Sequence, residues 1–228
     1  VTCIVDEDTT HVKGVHLIPA DMIAGQIRSF LGDVGADCIK IGMLYSKNII
    51  RLVAGILDEY SSIPVVVDPV MVTSSGDKLL EEDAVQAYKD YLFPRTSILT
   101  PNKKEAEWLC GKELNEGNIE ECLKDLSRWG NSVIIKSVEN RDFFIDYYYN
   151  PVEKVMKVYK KEGIRTRNVN GTGDSFASAI ATFLSKGYGI EFAVAEAERF
   201  IQQSIELGAR FKFGKGFGPI YPYYEIQE

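Results

Sequence analysis

The chain has 228 residues, 26 basic and 33 acidic side chains, a formal net charge of −7 at pH 7, and is 45% hydrophobic and 26% charged. That is ordinary globular composition, long enough to bury an apolar core without staples. A net acidic surface lacks the basic face that nucleic acid or an anionic membrane requires, and no run of about 18 apolar residues is present to cross a bilayer. No nucleic-acid and no membrane partner is therefore expected. Cys3, Cys38, Cys110 and Cys122 show no C-x-x-C spacing and only His11 and His16 accompany them, so no zinc cluster is expected. Their spacing and apolar flanks predict reduced, mostly buried thiols and a cytoplasmic protein.

Apolar β-branched runs at residues 1–5, 38–43, 65–67, 97–99 and 133–136 alternate with helical periodicity at 20–31, 46–60, 83–91, 103–110 and 119–129. Continuous apolar strands separated by amphipathic helices predict a mostly parallel sheet covered on both faces. Residues 142–149 and 154–159 flank Asn150-Pro151 and predict an antiparallel hairpin. Two helices follow, at 174–186 and 190–207. Phe176, Ala179, Ile180, Phe183 and Leu184 mark the buried face of the first, and Gly187 stands where it should end. The tail, 211–224, is rich in Gly and aromatic residues. With no repeat, low-complexity tract or linker, residues 1–228 read as a single α/β domain. The chain opens on a β-like run without an initiator Met, so sequence upstream of Val1 is expected.

The segment Asn170-Gly171-Thr172-Gly173-Asp174 carries the strongest chemical signal. Two glycines let successive amides converge where a helix begins, which makes an anion-binding nest. Asp174 could cap that helix, but capping leaves the flanking glycines unexplained. Beside such a nest, a carboxylate is placed to take the proton of an attacking hydroxyl. Asn102 and Glu105 share one side of a helical first turn, where they either organise Mg2+ and its waters or form a capping box. Asp68 ends a strand, as a site acid of an open α/β sheet or as a turn residue before Pro69. Lys136 ends another over the same edge, as a phosphate ligand or a solvated lysine. Gly42 would admit a ligand ring, and Met43 would offer it soft contact or pack in the core.

These residues fall within collinear motifs: Lys40-Ile41-Gly42-Met43-Leu44; Asp68-Pro69-Val70-Met71 with Ser75-Gly76-Asp77; Thr100-Pro101-Asn102 with Glu105-Ala106; Thr166-Arg167-Asn168; Gly171-Thr172-Gly173; and Gly214-Lys215-Gly216-Phe217-Gly218-Pro219. In them the chain resembles, over essentially its whole length, the hydroxymethylpyrimidine/phosphomethylpyrimidine kinases of the ribokinase-like superfamily. The resemblance implies a three-layer α/β/α sandwich, ATP as phosphoryl donor, Mg2+ and a homodimer. It also implies a first strand and a Gly-rich loop before Val1, so the domain is expected to be incomplete at its N-terminus.

Carried over by position, the resemblance makes Asp174 the general base and Gly171, Thr172 and Gly173 the anion hole. Lys136, Asn102 and Gly216 would lie along the nucleotide, Glu105 and Asp68 would hold Mg2+, and Glu7, Gly42, Met43 and Val70 would border the substrate. The chain departs from the family at three of these places. Asp174 stands where thiamin-pathway members usually carry Cys, Asp6-Glu7-Asp8-Thr9 replaces Ala-Gln-Asn-Thr, and Ser137-Val138-Glu139-Asn140 replaces the Gly-Gly-His that usually follows Lys136. The implied activity is ATP-dependent phosphorylation of hydroxymethylpyrimidine or its monophosphate in thiamin diphosphate biosynthesis. A pyridoxal (vitamin B6) kinase is the same-class alternative, and a non-catalytic ligand-binding module is the alternative of another class.

Overall fold

The computed structural model describes residues 1–71, 83–140 and 143–223. Strands β1 (Cys3–Glu7) and β2 (Val12–Leu17) precede helix α1 (Ala20–Asp33). Then come β3 (Ile39–Ile41), α2 (Lys47–Leu57), β4 (Val65–Val67), α3 (Ala84–Ala87), β5 (Ile98–Leu99), α4 (Lys103–Cys110) and α5 (Ile119–Leu126). The chain continues through β6 (Ser132–Asn140), β7 (Phe143–Asn150), β8 (Val155–Glu162), β9 (Asn168–Asn170), α6 (Thr172–Ser185), α7 (Ile190–Gly208) and β10 (Gly218–Pro219).

The central sheet runs β3-β4-β5-β6-β7-β8, parallel from β3 to β6 and antiparallel from β6 to β8. Strand alternation sorts its side chains into two apolar layers. Val65, Val67, Leu99, Val133 and Ile135 pack with α1 to α5, whereas Val66, Ile98 and Ile134 pack with α6 and α7. Each of these side chains is buried, a gain of roughly 1.5–3 kcal/mol apiece before entropy is counted. Residues apolar at every position have nowhere to face water, so helices must cover both sides. The three-layer sandwich follows.

Several elements differ from the sequence expectation. The opening run pairs with β2 in a separate two-stranded sheet and does not join the central one. β2 has no sequence signal because Gly14 and His16 interrupt its apolar positions. The third predicted helix is split: Ala84–Ala87 is α-helical and Tyr88–Leu92 continues as a wider turn. Helix α6 ends as expected, with Gly187 in the left-handed region at φ 82. Ser75-Gly76-Asp77 lies outside the described residues. The expectation of four reduced thiols is corrected: Cys110 and Cys122 form a disulfide with Cα atoms 6.0 Å apart, and Cys3 and Cys38 are free. Spacing could not show this, because the pair meets only through the packing of α5 on α4. No helix among the described residues is long and apolar enough to cross a membrane.

A line of charges ties the antiparallel half of the sheet to its helical cover. Lys161 on β8 donates to Asp146 on β7 at 2.8 Å and to Glu198 on α7 at 2.6 Å. Burial, reinforced by the Asp146 carboxylate, pushes Glu198 from 4.5 up to about 8. The unfolded chain therefore sheds this proton near the ordinary carboxylate value while the folded chain keeps it, so stability falls as pH rises through that window. Glu198→Gln, neutral at every pH, should show a Tm that gains steadily on the wild type between about pH 5 and about pH 8 in scanning calorimetry. Parallel Tm curves would show that Glu198 is ionised in the folded protein.

Candidate active site

The site is built where the parallel strands end. Asp68 follows β4, and its N–H donates to the Ile41 carbonyl at 2.9 Å, which holds the residue in line with β3. Lys136 does not end its strand as expected: β6 continues to Asn140 past a register shift at this position, and the Lys136 N–H donates to the Pro101 carbonyl at 2.9 Å. With both backbones fixed, Lys136 Nζ reaches Asp68 Oδ1 at 2.9 Å, and Thr100 Oγ1 donates to the same oxygen at 3.1 Å. Asp68 is 3% exposed and Lys136 7%, so the pair is out of water.

Glu105 lies beside them, also buried. Its Oε2 accepts from the Asn102 N–H at 2.9 Å while Asn102 Oδ1 accepts from the Glu105 N–H at 3.0 Å. This is the capping box that the sequence left open as one of two readings. Burial first, and the Asp68 charge second, push Glu105 up to about 8. Burial pulls the Lys136 ammonium down, but Asp68 and Glu105 outweigh it and leave it raised. Two carboxyl groups thus share one ammonium, and Glu105 is the one that burial holds toward its neutral form.

Over this pair sits the turn into α6. Gly171 is the N-cap at φ 82, a left-handed conformation that glycine adopts without steric cost. The amides of Thr172, Gly173 and Asp174 open the helix and have no carbonyl one turn before them within it. A Cβ on Gly173 would stand 3.2 Å from Asp68 Oδ2 and 3.4 Å from Lys136 Nζ. The nest and the ion pair are therefore in near contact.

Asp174 does not cap the helix. Its Oδ1 accepts from Lys40 Nζ at 2.9 Å, and its side chain is 67% exposed against 21% for Lys40. Lys40 was not among the expected site residues, although a lysine between Ile39 and Ile41 in an apolar strand was a usable signal. Gly42 accommodates this pair: a Cβ there would stand 3.1 Å from Lys40 Nζ and 3.7 Å from Asp174 Oδ1.

The remaining expected residues are Glu7, Met43, Val70 and Gly216. Glu7 is exposed at the end of β1, and Met43 and Val70 are half-buried. Gly216 is accounted for by the β1–β2 turn, since a Cβ there would fall on the Thr9 carbonyl. The N–H groups of Lys215 and Gly216 both donate to Thr9 Oγ1 at 3.1 Å, and Phe217 N–H donates to the Thr9 carbonyl at 2.8 Å. The tail thereby clamps the hairpin that carries Glu7. Among the described residues no group of three or more His, Cys, Asp or Glu side chains is placed to hold a metal ion.

The family model described as Phosphomethylpyrimidine kinase matches residues 1–221. A bifunctional thiamine biosynthesis protein of Geobacter sulfurreducens is 34% identical over 227 residues, which is 96% of this chain and 45% of that protein. A hydroxymethylpyrimidine/phosphomethylpyrimidine kinase of Mycobacterium bovis is 32% identical over 231 residues, 99% of this chain and 82% of that one. Among solved structures, the ADP complex of Bacillus subtilis pyridoxal kinase matches with a TM-score of 0.85 at 29% identity, covering 96% of this chain and 84% of that one. The chain spans less than half of the bifunctional relative and most of the single-function one.

Removing one partner of a buried pair leaves the other charged and unsolvated. Lys136→Met should therefore lower the unfolding free energy by about 3 kcal/mol in urea titration, and adding Asp68→Asn should recover much of the loss. A loss under about 0.5 kcal/mol would mean that water reaches Asp68.

Proposed function

The chain belongs to the phosphomethylpyrimidine kinase family, and we propose that it transfers the γ-phosphoryl group of ATP to hydroxymethylpyrimidine, its monophosphate or both, in thiamin diphosphate biosynthesis. The observation that carries this reading is the exposed Asp174 carboxylate, held by Lys40 at the amide-rich start of α6 and next in sequence to the Gly173 that closely approaches the buried Asp68–Lys136 pair.

In this reading Asp174 takes the proton of the substrate hydroxyl as that oxygen bonds to the γ-phosphorus and the bond to the departing ADP oxygen breaks. In a second step the acceptor is a phosphate oxygen. Lys40 fixes one carboxylate oxygen and so orients the base. The amides of Gly171, Thr172, Gly173 and Asp174, with Lys136, stabilise the negative charge of the transferring group; positioning and charge neutralisation supply most of the catalysis. Asp68 and Glu105 would hold Mg2+, with Asn102 reaching it through water. Mg2+ commonly takes one or two carboxylates plus phosphate oxygens, and a cation beside Glu105 would favour loss of the proton that burial and Asp68 hold on it. When bound, the ion neutralises phosphate charge. Glu7, Gly42, Met43 and Val70 border the substrate ring, and Asn102 and Gly216 lie on the nucleotide side. The family resemblance further supports a homodimer.

A pyridoxal kinase is the second reading, supported by the likeness to the Bacillus subtilis enzyme and by Glu7 in place of the family's usual Gln. Assays with ATP and hydroxymethylpyrimidine, its monophosphate or pyridoxal, run side by side, separate the two. Asp174→Ala should lower kcat by about a thousand-fold or more while ADP affinity in calorimetry stays within a few-fold. Unchanged turnover would overturn the assignment, and a wild type that binds ADP but phosphorylates none of the three would point to a binding module. Glu7→Gln should move the ratio of rates on pyrimidine and pyridine substrates; a fixed ratio would show that Glu7 does not read the ring.

A further inference from the structure

Between β6 and β7 the register slips. Ile135 faces Tyr147 and Val138 faces Ile145, so Lys136 and Ser137 together stand opposite Asp146. A two-against-one insertion of this kind turns the strand and re-aims a side chain. The side chain at this bulge is Lys136, whose Nζ stands beside Asp68 and below the Gly173 turn.

The bulge is not self-supporting. Ser137 sits at φ 59, a left-handed conformation that a residue with a β-carbon holds only under constraint. Its N–H has also left the ladder. Asp146 meets both needs: its Oδ1 accepts from the Ser137 N–H at 2.7 Å, and its Oδ2 accepts from Lys161 Nζ at 2.8 Å. The Asp146 side chain is 2% exposed, and Lys161 is fixed in turn by Glu198 on α7. An amide at this position could not accept from both donors, because one end of it is itself a donor. A buried ionic line is no more stabilising than well-packed apolar groups of similar volume. What it adds here is a defined direction for one strand residue.

We propose that Asp146 is a positioning residue for phosphoryl transfer: its carboxylate, anchored by Lys161, holds Ser137 in its left-handed turn and so aims Lys136 at the phosphate-binding nest. The inference rests on the reading of Lys136 as a phosphate ligand. It accounts for the altered segment after Lys136, where a serine occupies a conformation natural to glycine and an external carboxylate supplies the constraint.

The test uses Asp146→Ala, Asp146→Asn and the double variant Asp146→Ala/Ser137→Gly, with kcat and KM measured separately for ATP and for the acceptor. Asp146→Ala should lower kcat/KM for ATP by about 10- to 100-fold, with a smaller loss in Asp146→Asn. KM for the acceptor should stay within about two-fold of the wild type. Glycine at position 137 holds the left-handed turn unaided, so the double variant should regain part of the loss. A lowered Tm with kcat/KM for ATP within about two-fold of wild type overturns the proposal. Should Asp146→Ala fail to fold, Asp146→Asn is judged by the same criteria. A crystal structure of the surviving variant decides independently of turnover, even for a protein that phosphorylates none of the substrates. Lys136 Nζ drawn away from Asp68 supports the proposal, and Lys136 and Ser137 left in place overturn it.

Discussion

The buried Asp68–Lys136 ion pair is the constraint around which the candidate site is arranged. Its two backbones are fixed by the parallel ladder, which sets β4 and β6 on either side of β5 and leaves the side chains to meet across the gap. A charge placed there without its partner would be costly to bury. Everything that touches the pair is therefore closely determined. Thr100 donates to Asp68, Glu105 adds a second carboxyl group nearby, and Gly173 approaches with no side chain because a larger residue would press on both charged groups.

The second ion pair, Lys40 with Asp174, is of another kind. It lies at the same sheet edge but open to solvent on the Asp174 side, where such pairs contribute little to stability. In the proposed mechanism its use is geometric: it tethers one oxygen of a carboxylate that must stay accessible to a substrate hydroxyl. On that proposal a dry pair on the phosphate side and a wet pair that presents the base divide the work of one site.

The fold was legible wherever burial is two-sided. Val65-Val66-Val67 and Val133-Ile134-Ile135 have no polar face, so a sheet covered on both sides was the only arrangement open to them. Helices with one apolar stripe, such as the one bearing Phe176 and Ile180, were equally plain. What escaped was structure held by long-range partners. β2 has no periodic signal and exists because β1 pairs with it, and the two residues of β10 exist because β9 lies alongside. The Cys110–Cys122 bond was invisible for the same reason, since it depends on how two helices pack.

The sequence by itself determined the chemistry available: a helix start rich in glycine followed by Asp174, acids at Asp68 and Glu105 placed at element ends by local patterning, and a lysine at 136. Tertiary structure alone decided which of these meet. It assigned Glu105 and Asn102 to each other as a capping box, gave Asp174 to Lys40, and turned Lys136 toward Asp68 through a bulge supported by Asp146. Local propensity acts over a few residues, whereas a buried charge must find its counter-charge wherever the packed chain puts one, and here the partners lie 68 and 134 residues apart.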